Sequence, residues 1–162
     1  MELVYKTAKA EDASLIAQLA DSIWKKHYPS IISMEQIEYM LKNMYSNEQL
    51  LKQMSLGHTF TLVYLNNNPV GYISISTSNN KNYFIHKFYV LVNEHKKGIG
   101  TALFNYTLKQ IQNAKTIELT VNRQNYKAIN FYFKNGFTIK QTADFDIGNG
   151  YFMNDFVMIK HL

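Results

Sequence analysis

The chain has no cysteine, which excludes disulfides, thiolate metal sites and a cysteine nucleophile. No apolar run approaches the ~20 residues of a membrane-spanning helix. The opening Met1-Glu2-Leu3-Val4-Tyr5-Lys6 lacks the basic-then-apolar order of a secretory signal. A cytoplasmic protein with no membrane partner is therefore expected. The net charge is +5, but the 17 Lys and Arg are scattered and form no tract resembling a nucleic-acid arm. A phosphate-bearing small molecule accounts for the charge without invoking nucleic acid. Asp and Glu are missing altogether between Glu48 and Glu94, so the middle of the chain offers no carboxylate for proton transfer. Internal repeats and low-complexity linkers are also lacking. With 46% hydrophobic residues over 162 positions, the chain reads as one globular domain, 1–162, with a real core.

What is present centres on Val90 to Leu108. Phe84, Phe88, Tyr89, Val90 and Val92 are aromatic or β-branched, as in a strand. Ala102, Leu103, Tyr106 and Ile111 then recur with helical spacing. Between them Gly98 and Gly100 leave the first-turn N–H groups of a helix open to close approach, at the positive end of its dipole. His95, Lys96 and Lys97 stand beside them, and the chemistry suits a phosphate or pyrophosphate. A dinucleotide-binding loop is a poor fit, because Leu103 occupies its third small-residue position and no acidic residue ends the following strand. A nucleoside-triphosphate loop fails for want of Gly-Lys-Ser/Thr.

The remaining pattern predicts a strand at Leu3–Thr7, a helix opening at Ala10–Ser14, and a second helix behind the cap Ser33 with Gln36 three residues on. A short helix over Glu48–Met54 and strands at Phe60–Leu65 and Val70–Ser76 follow, the two strands joined by the turn Asn66-Asn67-Asn68-Pro69. After the central helix come a strand at Thr116–Val121, a helix over Asn125–Phe133 ended by Asn135-Gly136, and strands at Phe137–Lys140 and Tyr151–Ile159. The fold class expected is α/β, with a mixed, mostly antiparallel central sheet flanked by helices.

Two stretches carry a family resemblance. Glu94-His95-Lys96-Lys97-Gly98-Ile99-Gly100-Thr101 resembles the acyl-CoA pyrophosphate loop of the GCN5-related N-acetyltransferase superfamily, Gln/Arg-x-x-Gly-x-Gly/Ala, with His95 in place of the usual Gln or Arg. Asn125 to Phe137 resembles that family's Asn-x-x-Ala-x-x-Phe-Tyr-x-x-x-Gly-Phe segment. The order of elements over the entire chain is similar as well.

The resemblance implies acetyl-CoA as co-substrate, no metal, and direct transfer of acetyl to a primary amine. It implies that backbone at Tyr89 and Val90 pairs with pantetheine, that His95, Lys96, Lys97, Gly98, Ile99, Gly100 and Thr101 hold the pyrophosphate, and that Asn125 lies near the pantetheine arm. Tyr132 aligns with the tyrosine that gives a proton to the departing sulfur; its alternative is a core aromatic in the run Phe131-Tyr132-Phe133. Many relatives draw a glutamate base from the strand before the loop. Here the comparable place holds His86, whose unperturbed imidazole titrates near ~6.5; a surface histidine is the plainer alternative. Glu118, Asp144, Asp146 and Asp155 are other bases to weigh, and some relatives use a water chain. Tyr28 from the connection after the first helix, with Asp144 and Asp146 from the last hairpin, would receive a cationic acceptor. The layout is loosely similar to bacterial polyamine acetyltransferases. A peptide acceptor, or a non-catalytic acyl-CoA-binding module of the same fold, are the alternatives. Homodimers are common among similar proteins.

Overall fold

The computed structural model describes residues 1–162. Seven strands and five α-helices give the mixed α/β architecture expected, and the chain divides into two compact units. The first comprises Met1–Ser76 and Lys87–Gln110, the second Thr77–His86 and Ile111–Leu162. Strand β4 (Asn82–Val90) contributes residues to each.

In the first unit β1 (Leu3–Thr7), β2 (Thr59–Leu65) and β3 (Asn68–Thr77) form an antiparallel run that continues into β4. Asn66 and Asn67 both take positive φ, 48° and 67°, so a two-residue turn joins β2 to β3. The strand thus starts at Asn68, earlier than the sequence pattern suggests. Pro69 lies inside it, opposite Tyr64, where the register slips between Val63 and Tyr64. A proline has no N–H for the ladder, and the irregularity sits where that donor is missing.

Helices cover both faces of this sheet. A 3-10 turn at Ala10–Asp12 leads into α1 (Ala13–His27), which buries Ile16, Leu19, Ile23 and Trp24. Asp12 is itself buried; it accepts from the Lys9 amide and the Lys6 ammonium, which together hold its carboxyl below the ordinary range. α2 (Met34–Tyr45) starts where the Ser33 hydroxyl accepts from the Gln36 amide, as the sequence predicts, and α3 (Asn47–Ser55) repeats the device with Ser46 and Gln49. On the other face α4 (Ile99–Gln110) buries Ile99, Leu103, Phe104 and Thr107. Phe88 of β4 meets Phe104, and Tyr5 of β1 stacks on Tyr106 with ring centres 4.2 Å apart.

In the second unit the first residues of β4 pair in parallel with β5 (Thr116–Asn122). β5 pairs antiparallel with β7 (Tyr151–His161), and β7 with the outer strand β6 (Thr138–Gly148). β6 is much longer than the Phe137–Lys140 strand expected. Its face is mostly solvent, so it lacks the apolar alternation that marks a buried strand. α5 (Tyr126–Lys134) is capped by Asn125, whose side chain accepts from the Ala128 amide, and ends at Gly136 with φ 86°.

Candidate acetyl-transfer site

In the first unit the strand end, the loop and α4 form one continuous feature. β4 ends at Val90, a 3-10 turn spans Val92–Glu94, and α4 begins at Ile99. Lys96 and Gly98 both have positive φ, 67° and 76°. A side chain at Gly98 would meet nothing within 4 Å, so glycine is needed there for its backbone conformation and not for space. The first intrahelical bond runs from Ala102 N–H to the Gly98 carbonyl. The amides of Ile99, Gly100 and Thr101 precede it, in the positive first turn of a twelve-residue helix.

The loop side chains have specific places. His95 Nε2 lies 2.8 Å from the Val90 carbonyl oxygen. A carbonyl only accepts, so the ring nitrogen donates, and the imidazole ties the loop to the strand end. Lys97 is ion-paired with Glu94 at 2.7 Å, leaving Lys96 as the exposed cation of the loop that makes no ion pair. At the strand end a Cβ on Gly71 would stand 2.6 Å from the Tyr89 carbonyl oxygen, so β3 and β4 approach there as only glycine permits.

Tyr89 belongs to an aromatic cluster beneath α1 and α2. Its hydroxyl is 3.1 Å from that of Tyr28, and its ring centre is 5.8 Å from those of Trp24 and Tyr72. Tyr45 completes the group, edge-on to Trp24 and Tyr72. Beside it stands Lys87, which the sequence reading passed over. Lys87 is 6% exposed, with Nζ 4.9 Å from the centre of the Tyr45 ring and 6.0 Å from that of Phe60. Burial pushes its ammonium down to about 8. His58 is shifted down too, by its own burial and by the nearby Lys87 charge. The signal in the sequence was register: Ile85, Lys87 and Tyr89 alternate onto one row, and two of the three are plainly core types.

In the second unit Tyr132 is buried on α5, edge-on to Phe131 and Phe137. Asn125, also buried, caps the same helix. His86 is exposed on β4 with its ring 4.9 Å from that of Phe84. Glu118 pairs with Lys140. Asp144 pairs with Arg123 at 2.8 Å, and Asp146 accepts from the Gly148 amide in the hairpin turn. Asp155 is the one buried carboxylate here. Burial raises it to about 6, against the pull of the Thr120 hydroxyl and the Arg123 guanidinium beside it. The structure thus groups Arg123, Asp144 and Asp155. No group of three or more His, Asp or Glu able to hold a metal occurs, and no helix is long and apolar enough to cross a membrane.

Known proteins place these features in context. Over 153 residues the chain is 29% identical to a spermidine N(1)-acetyltransferase of Thermoplasma acidophilum, covering 90% of this chain and 94% of that one. The crystal structure of the PaiA N-acetyltransferase of the same organism, solved in complex with coenzyme A, superposes with a TM-score of 0.84 at 27% identity over the whole of both chains. A GCN5-related N-acetyltransferase from Rhodopseudomonas palustris shares the fold with a TM-score of 0.82, over all of this chain and 97% of that one, at 20% identity. The model of the acetyltransferase (GNAT) family matches residues 17–137, and this chain, an acetyltransferase, belongs to that family.

Proposed function

We propose that residues 1–162 act as a single cytoplasmic N-acetyltransferase domain, moving acetyl from acetyl-CoA directly to the primary amine of a small molecule, a polyamine first among the candidates. The observation that carries this reading is the loop. Positive φ at Lys96 and Gly98 turns the chain into α4 so that three consecutive first-turn amides precede the first helical bond, which suits a pyrophosphate. The neighbour solved with coenzyme A supports the same co-substrate. The name of the Thermoplasma acidophilum relative, with the exposed carboxylates of the hairpin, supports a polyamine.

In this reading the backbone from His95 to Thr101 binds pyrophosphate, and Lys96 adds its charge. Tyr89 and Val90 hold the pantetheine and orient the thioester carbonyl, and Asn125 borders the same arm. His86 takes the ammonium proton. The neutral amine then attacks the carbonyl, the C–S bond breaks, and the Tyr132 hydroxyl protonates the leaving thiolate. Tyr28, Asp144 and Asp146 contact the acceptor. No metal takes part, and the working form is a homodimer.

The test is thiol release from acetyl-CoA against polyamines, amino acids, aminoglycosides and short peptides, with CoA binding followed in parallel. Amine-dependent release names the acceptor class. Binding without release from any amine favours a non-catalytic acyl-CoA module. Gly100→Trp serves as the control that fills the pyrophosphate approach; normal CoA affinity in that variant would mean the loop is misassigned.

A further inference from the structure

His95 stands where the glycine loop leaves the strand, and its half-buried side chain turns back toward that strand. Its Nε2 lies 2.8 Å from the Val90 carbonyl oxygen, across five residues of chain. The segment between them is folded on itself. The Glu94 amide donates to the Leu91 carbonyl at 2.8 Å, and the His95 amide to that of Val92 at 3.2 Å.

The direction of the Val90 carbonyl follows from its neighbours. Leu91 N–H donates to the Val70 carbonyl of β3, and a Cβ on Gly71 of β3 would stand 2.6 Å from the Tyr89 carbonyl oxygen. Backbone groups of successive residues in a strand point to opposite edges, so the N–H and C=O of Val90 face away from β3. The imidazole takes the carbonyl. What the strand end still offers on that edge is the Val90 N–H.

A neutral imidazole has one N–H, and its other ring nitrogen only accepts. Here the N–H is spent on Val90. The oxygens of a pyrophosphate also only accept, so the neutral ring cannot serve one while it holds the strand. The loop cation with charge to give is Lys96, since Lys97 is paired with Glu94 at 2.7 Å.

We infer that His95 is a positioning residue for the acetyl transfer proposed above, on which this assignment rests. Its Nε2–H fixes the Val90 carbonyl, and with it the Val90 N–H that orients the thioester, and does not bind the pyrophosphate. Loop and strand end become one piece, so anchoring the pyrophosphate also sets where the thioester lies. Small displacements of a reacting group are costly in rate.

The test compares kcat for thiol release with binding of CoA and of acetyl-CoA, at about pH 8, where an ordinary imidazole is neutral. His95→Leu removes the N–H and keeps bulk. It should lower kcat about tenfold or more while CoA affinity stays within about twofold. His95→Ala serves if that variant does not fold. His95→Gln, whose amide N–H can reach the same carbonyl, should recover most of kcat, which a space-filling role would not give. Lys96→Met, by contrast, should weaken CoA severalfold. Where acetyl-CoA binds without turnover, His95→Leu should weaken acetyl-CoA but not CoA, because only the thioester carbonyl uses the Val90 N–H. An unchanged kcat in His95→Leu, a loss of CoA affinity as large as in Lys96→Met, or a Gln variant no better than Leu overturns the assignment and leaves the acetyl transfer standing. Wild-type protein that binds no CoA overturns both.

Discussion

In each unit one buried side chain is displaced by burial against its own charge, and the two are handled differently. Lys87 in the first unit lies against two aromatic rings with no counter-ion; Asp155 in the second has Arg123 and Thr120 beside it. Both carry a neutral-pH charge that burial opposes, so both cost stability, but in opposite directions of pH. The ordinary value for lysine is 10.5, and Lys87 is lowered to about 8. Between these the unfolded chain binds more protons, and stability gains as pH rises through the window. Asp155 is raised from 3.8 to about 6, so the native state binds more protons there and stability falls as pH rises through that range. Partners reduce the cost of burying a charge without removing it.

That contrast can be broken experimentally. The largest effect should come from Lys87→Met, which keeps volume and removes the unpaired charge: a gain of about 2 kcal/mol at neutral pH. It should shrink toward nothing near pH 10, as read by denaturant unfolding at several pH values. A loss of stability would mean that Lys87 has a compensating partner. Next, Arg123→Met should destabilise by about 1 kcal/mol at neutral pH, because it takes the counter-charge from Asp155 and Asp144. The loss should fade below pH 4, where Asp155 is protonated in both states. Asp155→Asn alone should stabilise by about 0.5 kcal/mol at neutral pH and do nothing at low pH. Combined with Arg123→Met, it should recover much of that variant's loss, and strict additivity would separate the two residues. Tyr132→Phe should leave all these curves nearly unmoved while lowering kcat about a hundredfold with CoA affinity retained. An unchanged kcat would return Tyr132 to the aromatic core.

The sequence was most legible where one residue type answers a local need. Ser33 caps a helix and Gly136 ends one, and both were readable because the requirement is set within a few positions. Gly98 stands out in the sequence for access to the amides, whereas its need is a positive φ, and the capping role of Asn125 was missed. The element order and fold class followed from the same signals. The buried cluster was not legible, and the reason lies in β4. Phe88 faces α4 while Lys87 and Tyr89 face α1 and α2, so both sides of that stretch are covered and polarity no longer reports direction. Tyr45 and Tyr72 are 27 positions apart and meet only through tertiary packing. β6 was underestimated for the opposite reason, being too exposed to show an apolar row.

That outer strand has a consequence for how the molecule behaves at high concentration. β6 pairs with β7 on one side only, which leaves a row of backbone donors and acceptors able to template growth by another chain. Exposed Phe145 and Ile139 would favour such stacking. Lys140, Asp144 and Asp146 interrupt the strand with charge of both signs, and two register slips, at Ile139/Gln141 and Asp146/Gly148, bend it away from the flat geometry that fibrils require. The hairpin therefore carries, in its charges and its register slips, features that work against edge-to-edge growth.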